Sequence, residues 1–397
     1  MSNDYIYDIE TYPNVFTLAV EHAEAPLHWM FEISDLRNDS REIIAFLQYL
    51  TDTDSRMVGF NNLGFDYPVI HTLIKMGYSD ARTLYDKAMA IIAAQDDEKF
   101  VHMVYPGDRY VKQIDLFKIH HFDNKARATS LKVLEFNMRS DTIEDLPFPV
   151  GTNLTADQLP TLKKYNKHDV AQTKQFYFKT LDMIRFREEL TLKYSRDFMN
   201  HNDTKIGKDY FAMKLEEAGV TLYDYGSSGR TPRQTKRSTI ALKDAILPWI
   251  TFEQPEFTRV LHWLKDQVIT ETKGIFNDIT ATVDGFTFVF GLGGIHGSVE
   301  SKVIESTDEC VVVDLDVSSY YPNLAITNGF YPAHLGASFC DIYKHLYEQR
   351  KTYAKNSAEN AMLKLALNGV YGDSNNQFSV FYDPLFTMSI TLNGQLL

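Results

Sequence analysis

Cysteine is almost absent from this chain: two residues in 397, Cys310 and Cys340. That excludes a disulfide framework and a cysteine zinc site, and both thiols are expected to be free and buried in apolar or aromatic sequence. His120 and His121 have no Cys/His spacing around them that would suggest zinc. No apolar run approaches the roughly 20 residues needed to cross a bilayer, and the N-terminus lacks a signal-peptide pattern. The expectation is a soluble chain of the cytoplasm with no membrane partner. Excess positive charge is missing as well. A net charge of -13 argues against a protein that coats nucleic acid by charge alone. It leaves room for an enzyme whose metal-binding carboxylates add negative charge. Internal repeats and low-complexity tracts are also lacking.

What is present is 44% hydrophobic content, enough for two or three domains with sizeable cores. Tyr5 to Ile9 and Val15 to Val20 read as strands around a Tyr12-Pro13-Asn14 turn. Arg41 to Leu50 has helical spacing, Met57 to Phe60 is a short strand, and Tyr67 to Met76 is helical again. Val111 to Leu116 reads as a strand, and Thr155 to Leu181 as a helix with Pro160 near its start. This mixture predicts an α/β domain with one central sheet. The pattern weakens between about Asp197 and Thr280, resumes as a strand at Phe286 to Phe290, and passes through a glycine cluster that includes Gly291, Gly293, Gly294 and Gly297. Cys310 to Asp316 predicts a buried strand. Two helices follow, Phe339 to Lys355 and Ser357 to Tyr371, with Ser357 an N-cap.

The informative residues are acidic. Asp8 and Glu10 lie two apart on the first strand and so share a face. Asp66 closes Asn61-Asn62-Leu63-Gly64-Phe65-Asp66, and Asp169 closes Tyr165-Asn166-Lys167-His168-Asp169. Four carboxylates at one point repel strongly unless cations sit between them. Hard divalent ions are the ordinary solution, and a pair of them about 4 Å apart is a phosphoryl-transfer device. Tyr165 precedes Asp169 by one helical turn, so both project on one face. Asp115 is a further acidic candidate, favoured for a structural or substrate-adjacent role.

In order and local sequence, these segments resemble the three exonuclease motifs of family B DNA polymerases, D-x-E, N-x₂₋₃-F-D and Y-x₃-D. The resemblance implies a ribonuclease-H-like 3′–5′ exonuclease of the tyrosine-bearing DEDD subclass, with Asp8, Glu10, Asp66 and Asp169 holding two Mg²⁺ ions (Mn²⁺ as the alternative). It implies that Tyr165 orients water. It also implies that Asn61 or Asn62, with Phe65, contacts the 3′ end of a DNA strand.

Asp316-Val317-Ser318-Ser319-Tyr320-Tyr321-Pro322 resembles motif A of the same family, D-x-x-S-L-Y-P, and Lys364 to Gly372 resembles motif B, with Gly369 where serine is usual. The resemblance implies that Asp316 binds metal, that Tyr321 lies under the sugar of a dNTP, that Lys364 neutralises phosphate oxygens, and that Asn368 and Tyr371 border the nascent base pair. Arg350 is a second candidate for triphosphate contact. Gly293 and Gly294 occupy the place of the family's Y-x-G-G segment, where close approach to DNA and a tight turn are competing explanations. The basic stretch containing Arg230, Arg233, Lys236 and Arg237 could track single-stranded or template DNA, or could be an ordinary solvated face.

The fold class expected is therefore α/β, with four parts. Residues 1–195 form the exonuclease domain, and 196–300 a mainly helical connecting region with the basic loop. Residues 301–338 form a partial palm, and 339–397 helical fingers returning towards the palm. The family's motif C carboxylate and thumb do not appear, and Met388 to Leu397 reads as an amphipathic helix with an unpaired apolar face. The expectation is the proofreading part of a replicative, phage-type DNA polymerase, working in the host cytoplasm on primer–template DNA. A second polypeptide would supply motif C and the thumb. The reading from another class is a non-catalytic DNA-binding or scaffold subunit of a replication complex.

Overall fold

The computed structural model describes residues 3–94, 98–227, 229–272, 274, 276, 279–291 and 293–397. They form two compact units, Met1–Asn202 and Asp203–Leu397. The expected break at residue 195 falls just before this division. The three further parts expected from sequence lie together in the second unit.

Unit 1 is built on a five-stranded mixed sheet, with β1 (Asp4–Tyr12), β2 (Val15–His22), β3 (His28–Ser34), β4 (Arg56–Gly59) and β5 (Lys112–Asp115). The spatial order is β3-β2-β1-β4-β5. The first three strands are antiparallel hairpins, and β1, β4 and β5 run parallel. Its helices are α1 (Ser40–Asp52), α2 (Asp66–Met76), α3 (Ala81–Ala93), α4 (Lys99–His102), α5 (Leu116–Ile119), α6 (Leu131–Met138) and α7 (Leu159–Tyr194). Period-two alternation along β1 divides the unit into two cores. Tyr5, Tyr7 and Ile9 join Phe16, Leu18 and Val20 of β2 against Ile43 and Leu47 of α1, Ile70 of α2 and Leu84 of α3. Ile6, on the opposite face, joins Ala19, Val58 and Ile114 against Val170, Phe176 and Ile184 of α7. Asp8 and Glu10 share the parity of Ile6 and so belong to the α7 face.

The first two expected strands, the α2 segment and β5 are found within a few residues. The helix expected to end at Leu181 runs to Tyr194, with its proline in the first turn where the missing N–H costs nothing.

Unit 2 opens with α8 (Asp203–Glu217), followed by a β6 (Tyr223–Gly226) and β7 (Gly229–Pro232) hairpin. Next come β8 (Ile240–Ala241), α9 (Pro255–Asp266), β9 (Val268–Ile269) and a meander of β10 (Thr280–Val283), β11 (Phe286–Gly291) and β12 (Gly294–Ser298). It closes with α10 (Tyr320–Asn328), α11 (Ser338–Thr352), α12 (Ala358–Asp373) and α13 (Pro384–Leu396). Ser357 caps α12 as expected, its side chain accepting from the Asn360 N–H.

Helices α8 and α12 cross so closely that a Cβ at Gly207 would lie 2.3 Å from the Leu365 carbonyl group. Gly207→Ala should therefore force the helices apart and cost about 1–3 kcal/mol or more. At Gly369 a Cβ would make only an ordinary 3.4 Å contact with the Thr204 carbonyl oxygen. Gly369→Ala should accordingly be neutral or stabilising through helix propensity. Paired thermal melts distinguish these outcomes, and equal shifts would contradict the close crossing.

Three expectations are corrected here. Residues 302–317 contain no strand, and Val311, Val313 and Leu315 are exposed, Leu315 to 86%. A strand needs lateral hydrogen-bond partners, and no described strand of this unit pairs with that run. Cys310, within it, is exposed rather than buried, and Cys340 is half-buried. Helix α13 has no unpaired apolar face. Met388, Leu392 and Leu396 pack into the core around Ile246, Leu261 and Phe290. Fully buried Asn393 accepts from the Leu247 N–H and donates to the Ala245 carbonyl.

Among the described residues, no helix is long and apolar enough to cross a membrane.

Candidate active site

The parallel strands β4 and β5 end level with one another at Gly59 and Asp115, β1 runs on past them to Tyr12, and the acidic residues gather at these carboxyl ends. Such an end is the usual ligand side of an open α/β sheet. Asp8 and Glu10 project from β1, and α7 lays Tyr165, Asn166 and Asp169 across the same face. Ligand oxygens of Asp8, Glu10 and Asp169 all lie within 4.8 Å of one another. Asp66 begins α2, and its Oδ1 accepts from the Ile9 N–H at 3.2 Å, which fixes it beside β1.

Asn166 is the positioning residue that sequence reading passed over. It is fully buried, accepts from Thr17 Oγ1 at 2.9 Å, and donates to Asp8 Oδ2 at 2.7 Å. Its place inside the Tyr165–Asp169 segment was the available signal. Lys132 was also missed. Its Nζ lies 3.5 Å from the Tyr165 hydroxyl and 5.2 Å from that ring's centroid, and it donates to the Glu144 carbonyl. It brings a positive charge to an acidic cluster. Tyr165 hydrogen-bonds to Asp169, and burial together with the charge of Asp169 raises its phenol pKa.

The electrostatics follow from crowding. Burial first, then the charges of Asp66, Glu10 and Asp169, pushes the Asp8 carboxyl well above its usual range. Burial and then Asp169 and Asp66 do the same to Glu10. Burial carries Asp66 up to about 7 against the pull of the Ile9 hydrogen bond, and carries Asp169 to about 6. Asp169 Oδ1 is buried without a hydrogen-bond partner among the described residues.

Asp115 has the structural role favoured from sequence. It is fully buried at the end of β5 and accepts from the N–H groups of Asn61, Leu63 and Phe117 at 3.0–3.1 Å. It thereby pins the β4–α2 loop, which turns through a left-handed Asn61 (φ 62°). Asp115→Ala should strand these donors and cost about 2–4 kcal/mol, measurable by denaturant unfolding; an unchanged midpoint would remove this role. In the same loop Asn62 is fully enclosed, its amide 2.9 Å from the Gln113 side chain. Of the pair proposed for DNA contact, Asn61 alone keeps exposed surface, and Phe65 is half-buried beside it.

A cavity of about 630 Å³ lies at the opposite end of the strands, lined in part by Arg56, Arg109, Lys112 and Glu188. It is remote from the carboxylates.

In unit 2 the structure gathers some of the expected residues. The rings of Tyr321 and Tyr371 lie with centroids 4.6 Å apart and planes tilted by 31°, and the Tyr321 hydroxyl donates to the Gly293 carbonyl at 3.0 Å. Gly294 lies in the same place, with a Cβ there 3.8 Å from the Tyr321 hydroxyl oxygen. Lys364 and Asn368 are exposed on the α12 face that also carries half-buried Tyr371. Arg350 is held by Asn360, 3.3 Å from its Nε. Asp316 stands in the exposed, unpaired 302–317 segment.

The basic stretch is largely committed to internal contacts. Arg230 covers the Tyr223 ring at 4.0 Å, Arg233 pairs with Asp224, and Arg237 pairs with buried Asp383 at 2.8 Å. Lys236 is exposed.

No protein-family model matches the chain, and no curated protein is significantly similar to it.

Proposed function

We propose that unit 1 is a metal-dependent 3′–5′ exodeoxyribonuclease of the ribonuclease-H-like, tyrosine-bearing DEDD kind, within a chain that forms part of a family B-like replicative DNA polymerase. The observation that carries this reading is the meeting of Asp8, Glu10 and Asp169, with Asp66 beside them, on one face of a mixed sheet. An all-oxygen donor set of crowded carboxylates, one with an unpartnered buried oxygen, fits Mg²⁺ or Mn²⁺. Such ions, held by Asp8, Glu10, Asp66 and Asp169, would supply charge stabilisation at the phosphodiester and lower the pKa of water.

The chain's own groups do the rest. Asn166 fixes the Asp8 carboxylate, and the Tyr165 hydroxyl, tethered to Asp169 and Lys132, orients the attacking water. Water adds to phosphorus as the P–O3′ bond breaks, and the departing 3′ oxygen leaves as a hydroxyl. Asn61 and Phe65 border the strand end. On single-stranded DNA labelled at its 5′ end, the chain with Mg²⁺ should generate a descending ladder that keeps the label, and EDTA should stop it. A label that stays on full-length DNA in both conditions would support the scaffold reading.

For the polymerase half, the close Tyr321–Tyr371 ring pair beside Gly293 and the exposed Lys364–Asn368 face support a dNTP-binding surface. Asp316 lies in an unpaired segment, so extension is proposed to need a further polypeptide whose strands pair with that run. The chain alone should leave a primer–template with dNTPs unextended, and addition of that polypeptide should restore synthesis.

A further inference from the structure

Beside the shared carboxylates lies a second group of ligand type that the exonuclease reading does not use. Glu135 on α6 is fully enclosed, and its Oε2 lies 3.0 Å from Nε2 of His168 on α7. His168 precedes Asp169, and one ligand atom from each of Glu135, His168 and Asp169 lies within 4.8 Å of the other two. The local fold holds them there. Ser130 caps α6 by accepting from the Val133 N–H, Leu134 packs into the core with Phe176, and Ser140 donates to Gln172 of α7 at 2.6 Å.

The buried Oε1 of Glu135 and Oδ1 of Asp169 have no hydrogen-bond partner among the described residues. Two carboxylate groups cannot satisfy one another, and an enclosed charge without a counter-charge costs several kcal/mol. His168 answers one oxygen only. A cation within reach of both carboxylates and the imidazole resolves the remaining deficit.

We propose that Glu135, His168 and Asp169 form a separate divalent-cation site that shares Asp169 with the Asp8–Glu10 cluster and selects Zn²⁺ or Mn²⁺ over Mg²⁺. The imidazole nitrogen sets the preference, since nitrogen donors favour first-row transition metals while Mg²⁺ favours oxygen and water. An ion here orders Asp169 through Glu135 of α6 and its own neighbour His168. It therefore links α6 to the cluster even when that cluster is empty.

The test counts metal on the full chain by equilibrium dialysis with Zn²⁺, and separately with Mn²⁺, with Co²⁺ absorption reporting nitrogen ligation. In an Asp8→Ala/Glu10→Ala background, which keeps Asp169, one equivalent of Zn²⁺ should remain bound. Adding Glu135→Gln should remove that equivalent or weaken it at least tenfold. His168→Gln should do the same and abolish the nitrogen-dependent Co²⁺ bands, which keeps the test decisive if Glu135→Gln fails to fold. No bound Zn²⁺ in the background, or affinity within twofold after either substitution, would overturn the site and leave a simple Glu135–His168 hydrogen bond. The count is independent of DNA cleavage, so failure of the exonuclease reading would leave this result standing.

Discussion

Replacing Asp8 and Glu10 together by alanine should lower 3′-nucleotide release by on the order of 10³-fold or more and, in EDTA, make unit 1 more stable. The two effects share one cause. Burial and mutual repulsion push both carboxyls well above their usual range, so the folded chain resists ionising groups that water would ionise freely. Removing them relieves that cost, and the cation they would hold is lost with them. Asp115→Ala provides the contrast. It is also a buried carboxylate at this end of the sheet, but its oxygens answer three backbone donors, and its loss should destabilise. Nuclease assays paired with thermal melts in EDTA separate the cases. A variant that retains activity within tenfold, or that melts lower as Asp115→Ala should, would remove the carboxylate cluster as the catalytic centre.

Much of this cluster was legible because its signals are local. The two-residue spacing of Asp8 and Glu10 on a strand puts them on one face. The four-residue spacing of Tyr165 and Asp169 on a helix does the same. What sequence could not supply was the company each residue keeps across the fold. Asn62 sits in the same short motif as Asn61, yet the left-handed turn at Asn61 directs Asn62 inward to Gln113. Arg237 reads as part of a basic run, but its partner Asp383 lies far away in sequence and nearby in space. Glu135 carried no motif, and nothing in the Tyr165–Asp169 segment marked His168 as its partner, because α6 and α7 become neighbours only by packing.

The misreading of Cys310 to Asp316 has the same physical root. Apolar, β-branched composition specifies the capacity to pair, whereas a strand also needs an edge to pair with. Helix α13 shows the reverse. Its near-continuous apolar sequence looked like one open face and is enclosed, because Asn393 and Gln395 find backbone partners inside the core.

Metal dependence of stability should itself vary with pH. Asp66 at about 7 and Asp169 at about 6 sit above the roughly 3.9 of an unfolded aspartate. Between those values the folded chain holds protons that the unfolded chain has released, so raising the pH favours unfolding. In EDTA, this contribution to stability should therefore be complete below about pH 4, fall as pH rises, and level off above about 7. At about 1.4 kcal/mol per pKa unit, the coupled carboxylates should together account for several kcal/mol. Asp115, raised to about 6, adds in the same direction. His71, lowered by burial, opposes it, since a histidine kept neutral in the fold gains stability as pH rises through 6.5. Comparison with Asp8→Ala/Glu10→Ala cancels the contributions of Asp66, Asp169, Asp115 and His71 and isolates that of Asp8 and Glu10, which are raised in the same direction. Divalent cation should restore stability most at pH 8, by about 2.7 kcal/mol at a hundredfold excess over its Kd, and least at pH 5, where protons already occupy its place. Urea unfolding at pH 5 and pH 8, with EDTA or Mg²⁺, measures all four corners. Wild-type stability in EDTA that rises between those pH values relative to the double variant would mean the carboxylates are not crowded in solution, and the cation site would lose its physical basis.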